Sequence, residues 1–309
     1  MATAAFKKKK FDVNQISVGS NLAINSFFWI YTALCVFPLL LVIAVSFSDE
    51  KTVLISGYSF WPEKWSIESY KFLFNDYMAI VKSYGVSIFV TVVGTAISLT
   101  IMTMYAYPIS RRDFKHRNLF SFLMFFTILF NSGLVPFYLV YKQGLHLQNT
   151  MLVLMIPLFV QGFFVFVIRT FFQNQVPPAL IESAKIDGAG ELRTFFQIVL
   201  PLSLPVLASV GLLVTLNYWN DWFLSVLFIR DDGPQTIQFR MYRTLLDIQY
   251  LSSNAQAYSA IMQANPNFTV PSETARMAMG IVGIGPIIFL YPFVQRYFVA
   301  GLTVGAVKG

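Results

Sequence analysis

Charge is scarce in this chain: 12% of its 309 residues are Asp, Glu, Lys or Arg, about half the share found in soluble domains, and a water-soluble globule is excluded on that ground. Cysteine is nearly absent. The single Cys35 rules out a disulfide within the chain and, lying in an apolar window, is expected to be a buried small apolar residue. His116 sits in a basic stretch and His146 at an expected helix boundary; neither has the companion ligands that a metal centre requires. No GxxxxGK[ST] pattern occurs. The closing GLTVGAVKG offers glycines and one lysine without a following Ser or Thr at the required spacing, so no P-loop is expected. The apolar stretches also lack a GxSxG element, a second aspartate or a histidine cluster, which argues against an intramembrane enzyme.

What the chain has in abundance is apolar surface, at 56% of residues. Six windows hold no Asp, Glu, Lys or Arg: 24–47, 83–110, 118–141, 143–168, 194–220 and 277–295. Each reaches or nearly reaches the roughly 20 residues that a helix needs to cross about 30 Å of hydrocarbon. The expectation is an all-α membrane protein of six helices, at about 24–47, 84–108, 118–141, 150–172, 203–229 and 277–297. A barrel is disfavoured, because its strands would alternate polar and apolar residues, whereas these runs are apolar on all sides. The first window is too long for a signal-peptide core and has no small-residue cleavage site after it, so it is expected to be retained.

Orientation follows from the basic residues. Lys7 to Lys10 precede the first helix, Arg111, Arg112, Lys115 and Arg117 crowd the second connection, Arg169, Lys185 and Arg193 flank or occupy the fourth, and Arg296 and Lys308 follow the last helix. Six crossings place all of them on one side, which is expected to be cytoplasmic, with both termini. The net charge of +7 is then mostly an inside-facing excess, and a nucleic-acid partner has no support. The expected organisation is an inner segment 1–23, a membrane domain 24–299 with an outer loop 230–276, and an inner tail 300–309. Aromatic residues in FWPEKWSIESYKFLFND suit the outer headgroup level.

One inner stretch, 177–201, stands apart by its charge and glycine. Pro177 and Pro178 sit where a helix can begin, 179–187 are acceptable helix formers, and Gly188 falls where a helix would stop in the left-handed conformation. Leu192, Phe195, Phe196 and Val199 then recur at helical spacing and are expected to share one greasy face. The product is a helix–turn–helix against the inner surface. Its turn would present small residues and backbone, with Glu182, Lys185 and Asp187 supplying polar contacts, as a plug for a partner's groove. An interfacial hairpin that only stabilises the bundle is the other reading.

A second polar feature interrupts the fifth apolar run. In LNYWNDWFL, Asn217 and Asp221 are four apart and expected to share a helix face, as are Tyr218 and Trp222, with Asn220 between. A carboxylate in a membrane helix costs on the order of 2.5–3.5 kcal/mol and faces a bundle interior or a watery cavity. Carboxylate, amide and aromatic groups together suit sugars, which need hydrogen bonds to hydroxyls and rings for their C–H faces. These groups could instead satisfy one another or a sister helix.

Glu182-Ser183-Ala184, Asp187-Gly188-Ala189, Ile198, Leu200-Pro201 and Pro205 resemble the EAA loop of ABC-importer permeases. The likeness extends to the carbohydrate, maltose-permease-like class: AYPISR ends the second helix, Gly144-Leu145 and Asn149-Thr150 open the fourth, and QRYFVAGLTVGAVKG closes the chain. All but the first ten residues are covered. This resemblance implies the six-helix type I importer permease fold with a cytoplasmic coupling helix. It also implies that Glu182, Ser183, Ala184, Asp187, Gly188 and Ala189 dock in a cleft of an ATPase, with Ser183 replacing the family's usual alanine. The tail Gly305, Ala306, Val307, Lys308, Gly309 is similar to one that reaches the ATPase. The implied function is the membrane subunit of an ATP-driven sugar importer, with oligosaccharides as the finer expectation, in a bacterial cell membrane. Implied partners are a homologous permease, two ATPase subunits holding the ATP and Mg, an extracellular solute-binding protein and the carbohydrate, besides membrane lipid. An ion-coupled secondary transporter of a small polar solute is the alternative, but it would carry paired intramembrane ionisable groups or inverted repeats, which are not evident.

Overall fold

The computed structural model describes residues 17–254, 256, 259, 263, 271–289 and 292. Most of the expected segment 1–23, part of the outer loop 230–276, the end of the last expected helix and the tail Gly305, Ala306, Val307, Lys308, Gly309 lie outside the described residues.

Helix α1 (Val18–Ser46) starts at Ser17, whose hydroxyl accepts the Ser20 N–H at 3.2 Å. Its 29 residues extend about 44 Å, enough to cross a bilayer. Only Ala44, Val45 and Ser46 are buried, where α1 meets the helix beginning at Glu273. Cys35 is accordingly exposed, contrary to the expectation of burial. An all-round apolar helix needs no protein cover in lipid, so the apolar context of Cys35 did not require a protein neighbour. Outside it, α2 (Glu50–Ser56) and α3 (Glu68–Leu73) form a ledge, tied by a single antiparallel bridge between Ser48 and Trp65.

The bundle is organised on α4 (Tyr77–Ser110), which continues α3 through a 3-10 turn and makes an unbroken helical run over 68–110. Its buried residues include Ser83, Ser87, Val90, Thr91, Gly94, Ser98 and Met102, a mostly small-residue strip that lets other helices come close. At Gly94 an added Cβ would stand 2.7 Å from the Tyr218 ring. Both α7 (Gly162–Gln175) and α11 (Leu204–Trp219) pack along this strip. Met102, Val153, Val165, Ile168, Val210, Val214 and Phe228 close the main core.

Several of the expected single spans are bent or interrupted. The window 118–141 is α5 (Arg117–Leu129) and α6 (Leu134–Leu139) with a π turn Val140–Gly144, bent by 111° at a break where Gly133 takes φ +80°. The window 150–172 opens with 3-10 turns Leu152–Leu154 and Ile156–Leu158, and α7 leaves them at 50°. The expected helix 203–229 stops at Trp219 and resumes as α12 (Phe223–Phe228). Proline and glycine give the physical reason at two of these sites, Pro157 in the second 3-10 turn and Gly133 at the first break; at the third, Asp221 accepts the Leu224 N–H and starts a new helix. Among the described residues two helices are long and apolar enough to cross a membrane, rising to five if each bent pair is one span. Farther along the chain lie α13 (Ile237–Ser253) and α14 (Glu273–Ile284); the latter overlaps the expected helix 277–297 and gives way to a 3-10 turn at Gly285–Phe289. Among the described residues there is no β-strand, so the all-α expectation stands.

Candidate functional site

The hairpin over 177–202 is built as its punctuation requires. Pro178 is the first residue of α8 (Pro178–Ile186), and the helix ends on Gly188 at φ +76°. The Ala189 N–H reaches the Ala184 carbonyl at 2.9 Å and the Gly188 N–H the Lys185 carbonyl at 3.0 Å, the paired bonds of a Schellman cap. Ala184 is buried under the helix, while Glu182, Ser183, Asp187 and Gly188 are exposed and Ala189 is half-buried. Ile186, 86% exposed, adds an apolar prow that the amino-acid pattern did not single out.

The second arm departs from expectation. It comprises α9 (Glu191–Thr194), a π turn Phe195–Val199 and α10 (Leu200–Leu202), and it meets α11 at 81°. Phe195 and Val199 are buried but Leu192 and Phe196 are exposed, so the four do not form one greasy face. A π turn inserts an extra residue per turn and rotates the rest of the helix about its axis, which splits an i, i+3, i+4, i+7 pattern.

Charged residues fasten this hairpin to the end of α4. Arg111, whose side chain is 11% exposed, donates from Nε and Nη2 to the two oxygens of Asp113 at 2.8 and 2.5 Å and from Nη1 to Glu191 Oε2 at 3.2 Å. The Lys185 ammonium reaches Asp113 at 2.8 Å and Glu191 at 3.3 Å. Tyr107 donates to Glu191 at 2.8 Å and accepts from Arg111 at 2.8 Å. Hydrogen bonds from Arg111 and then Lys185 hold the Asp113 carboxyl well below the usual carboxylate range. Burial pushes Glu191 up, but the Tyr107 hydroxyl, Arg111 and Lys185 together outweigh it and leave its pKa lowered. From α7, Arg169 Nε and Gln173 Nε2 donate to the last α4 carbonyls, Ile109 and Ser110, at 3.2 and 3.4 Å. A cavity of about 380 Å³ opens beside the cluster between Arg112, Gln173, Glu182 and Lys185. The sequence signal for this cluster was Asp113, the lone acid in a basic connection.

The polar patch on the fifth span is rearranged by the helix break. Tyr218 is buried, its hydroxyl shared with Ser98 at 2.9 Å and donated to the Met155 carbonyl at 3.0 Å, so it is a core residue and does not share a face with Trp222. Asp221 sits in the gap, where its Oδ1 accepts the Leu224 N–H at 3.1 Å and starts α12. Thus Asn217 and Asp221 are not on one continuous helix face. Asn217 and Asn220 are exposed, and Asn217 Nδ2 donates to Gln161 Oε1 at 2.9 Å. Trp222 stacks on Tyr242 with centroids 4.6 Å apart. Gln161, which no motif marked, stands at the break before α7, and the adjoining Gly162 packs under Ile128 and the Met124 carbonyl of α5.

Three breaks therefore fall at similar depth. From their ends on the hairpin's side of the bundle α5, α7 and α11 run 13, 14 and 16 residues, about 20–24 Å, before they stop. Unwound backbone at membrane depth survives only inside protein or beside water. Exposed amides at Asn217 and Asn220, with Gln161 bonded to Asn217, lie at that level. This arrangement can hydrogen-bond a hydroxylated solute.

Comparison with known proteins then places the chain. Residues 106–304 match the family model described as binding-protein-dependent transport system inner membrane component. The polygalacturonan/rhamnogalacturonan transport system permease protein YtcP of Bacillus subtilis is 37% identical over 94% of this chain and 98% of its own length. The arabinooligosaccharides transport system permease protein AraQ of Halalkalibacterium halodurans is 31% identical over 89% of this chain and 92% of its own length. Among solved structures, a bacterial ABC transporter involved in the import of the acidic polysaccharide alginate superposes with a TM-score of 0.74 at 25% identity, covering 92% of this chain and 99% of that one.

Proposed function

The chain belongs to the inner membrane components of binding-protein-dependent transport systems, in their carbohydrate ABC-permease class, and from that premise we propose that it carries an oligosaccharide into the cell by alternating access. The relatives named for galacturonan, rhamnogalacturonan and arabinooligosaccharide transport support a plant-polysaccharide fragment as cargo. In this reading a homologous permease completes the path, an extracellular binding protein delivers the sugar, and two cytoplasmic ATPases hold the ATP and Mg. This chain hydrolyses nothing itself. Both termini lie inside, and the tail from Gly305 to Gly309 reaches toward the ATPase.

One observation carries the proposal: a hairpin anchored through Lys185 and Glu191 leaves Glu182, Ser183, Asp187 and a left-handed Gly188 exposed. Such a surface fits a groove on a cytoplasmic partner, with Ser183, Gly188 and the half-buried Ala189 allowing close approach. Asn217, Asn220, Asp221 and Trp222 line the sugar path, and Tyr218 supports it from behind.

The test is a purification and a crosslink. Affinity capture from native membranes is expected to bring down a second permease and an ATPase, and Ala189→Cys in a Cys35→Ser background to crosslink to that ATPase. Capture of the chain alone, with solute uptake driven by an ion gradient, would replace this reading with a secondary transporter.

A further inference from the structure

Docking needs only the hairpin's exposed residues, yet Lys185 and Glu191, on either side of its turn, are fastened to the end of α4. An isolated exposed ion pair contributes little. Here a nearly buried guanidinium forks onto Asp113 and reaches Glu191, and Lys185 bridges the same two acids, so the chain on either side of Gly188 and the α4–α5 connection share one cluster. Two cations balance two anions. Without Arg111, Asp113 and Glu191 would keep only the exposed Lys185 between them. The Phe195 ring, 5.2 Å from that of Tyr107, and the Arg169 and Gln173 bonds to the carbonyls of α4 complete the attachment.

From this joint α4 runs outward past every broken span. Its Ser98 bonds the Tyr218 hydroxyl of α11 and the Leu158 carbonyl that precedes α7. Farther out, Ser87 Oγ accepts the Ile237 N–H of α13 at 2.8 Å, and the Tyr84 hydroxyl donates to the Val282 carbonyl of α14 at 2.5 Å. A displacement of α4 would reach the level of Gln161 and Asn217 and helices α13 and α14 together.

We propose that Arg111 is a positioning residue that locks the hairpin and α4 into one rigid lever, so that displacement imposed on α8 is delivered to the path without an intervening joint. This rests on the reading of 177–201 as the ATPase-docking loop. It assigns the transmission to Arg111 and Asp113, outside the resembling motif, and to Glu191, a position within its span that the resemblance does not use. Other transmission routes would let the hairpin pivot on its own prolines.

Electron–electron resonance on the whole transporter in proteoliposomes tests it, with spin labels at Leu180→Cys on α8 and Lys115→Cys beyond the joint, both exposed, in a Cys35→Ser background. One narrow distance, the same in nucleotide-free and ADP–vanadate-trapped states, is expected. Arg111→Gln should broaden it, and Arg111→Lys, which keeps the charge but loses the fork, should broaden it less. In parallel, the rate at which Asn220→Cys is alkylated should differ several-fold between the two states with Arg111 present and lose that difference in Arg111→Gln, while ADP–vanadate is still trapped. A purely structural role would lower assembly without separating trapping from the alkylation change. A wild-type distance that shifts between states overturns the lever, whether or not any variant assembles. If that shift occurs with the Ala189→Cys crosslink to the ATPase intact, the coupling reading survives; if the crosslink is absent, both fall.

Discussion

Glu50 Oε2 accepts both the backbone N–H and the hydroxyl of Thr274, at 2.9 and 2.7 Å, across 224 residues of chain. Its Oε1 takes the N–H groups of Ser272 and Glu273 at 3.0 Å each and the Ser272 hydroxyl at 2.8 Å. One carboxylate thus satisfies the open N–H groups at the start of α14 and favours its dipole. Burial pushes Glu50 up, but these hydrogen bonds outweigh it and leave the pKa lowered. A carboxylate depressed in the folded state stabilises above its unfolded pKa, and the contribution is lost as pH falls through the folded value. Glu50→Ala, which leaves several buried donors unpaired, is expected to cost about 2–4 kcal/mol. Thermal unfolding in detergent across an acid series should show wild type losing stability below the usual carboxylate range and Glu50→Gln losing less.

Gly94 and Gly280 are both helical glycines, but they should respond in opposite ways to alanine. At Gly94 the Tyr218 ring atoms lie 2.7–3.0 Å from an added Cβ, and the ring is held by Ser98 and the Met155 carbonyl. Gly94→Ala is expected to destabilise by about 1–3 kcal/mol through overpacking. At Gly280 nothing lies within 4 Å, so Gly280→Ala is expected to be neutral or to stabilise by a few tenths to about 1 kcal/mol. Unfolding midpoints of the two variants, measured side by side, check the contrast.

The fold class was legible because lipid imposes long uncharged windows, and the hairpin because Pro178 and Gly188 mark a helix start and stop. The breaks were less legible. Hydropathy registers an uncharged stretch whether or not it is bent, so 118–141 reads as one helix although Gly133 turns it through 111°. Tyr218 and Trp222 were paired by helical spacing that the gap at Asp221 cancels. The fastening of Arg111 and Asp113 to Lys185 and Glu191 joins segments more than 70 residues apart, and local pattern says nothing about such pairing. Gln161 lacked any sequence signal, being one amide in an apolar window.

Gly188 carries strain sensitivity without crowding. An added Cβ meets nothing within 4 Å, yet φ is +76°. Gly188→Ala is therefore expected to cost about 1–2 kcal/mol at the turn, with Gly188→Asn milder because asparagine tolerates the left-handed region. The effect should fall on ATPase docking more than on the bundle: weaker Ala189→Cys crosslinking and reduced ATP-driven uptake at an unchanged unfolding midpoint, with Gly188→Asn between wild type and alanine.

Asp221 separates two uses of one carboxylate. Its Oδ1 starts α12 by accepting the Leu224 N–H, and asparagine can accept the same bond, so Asp221→Asn should keep the break and the fold. What asparagine removes is the negative charge beside the proposed sugar path. If that charge contacts cargo, uptake of a galacturonide trisaccharide and its stimulation of ATP hydrolysis should change together, by roughly tenfold, the scale of losing one hydrogen bond to a charged group. Unchanged values for both would leave Asp221 as a helix-starting residue and move the contact to Asn217, whose replacement by alanine also frees Gln161 and should then produce the larger loss.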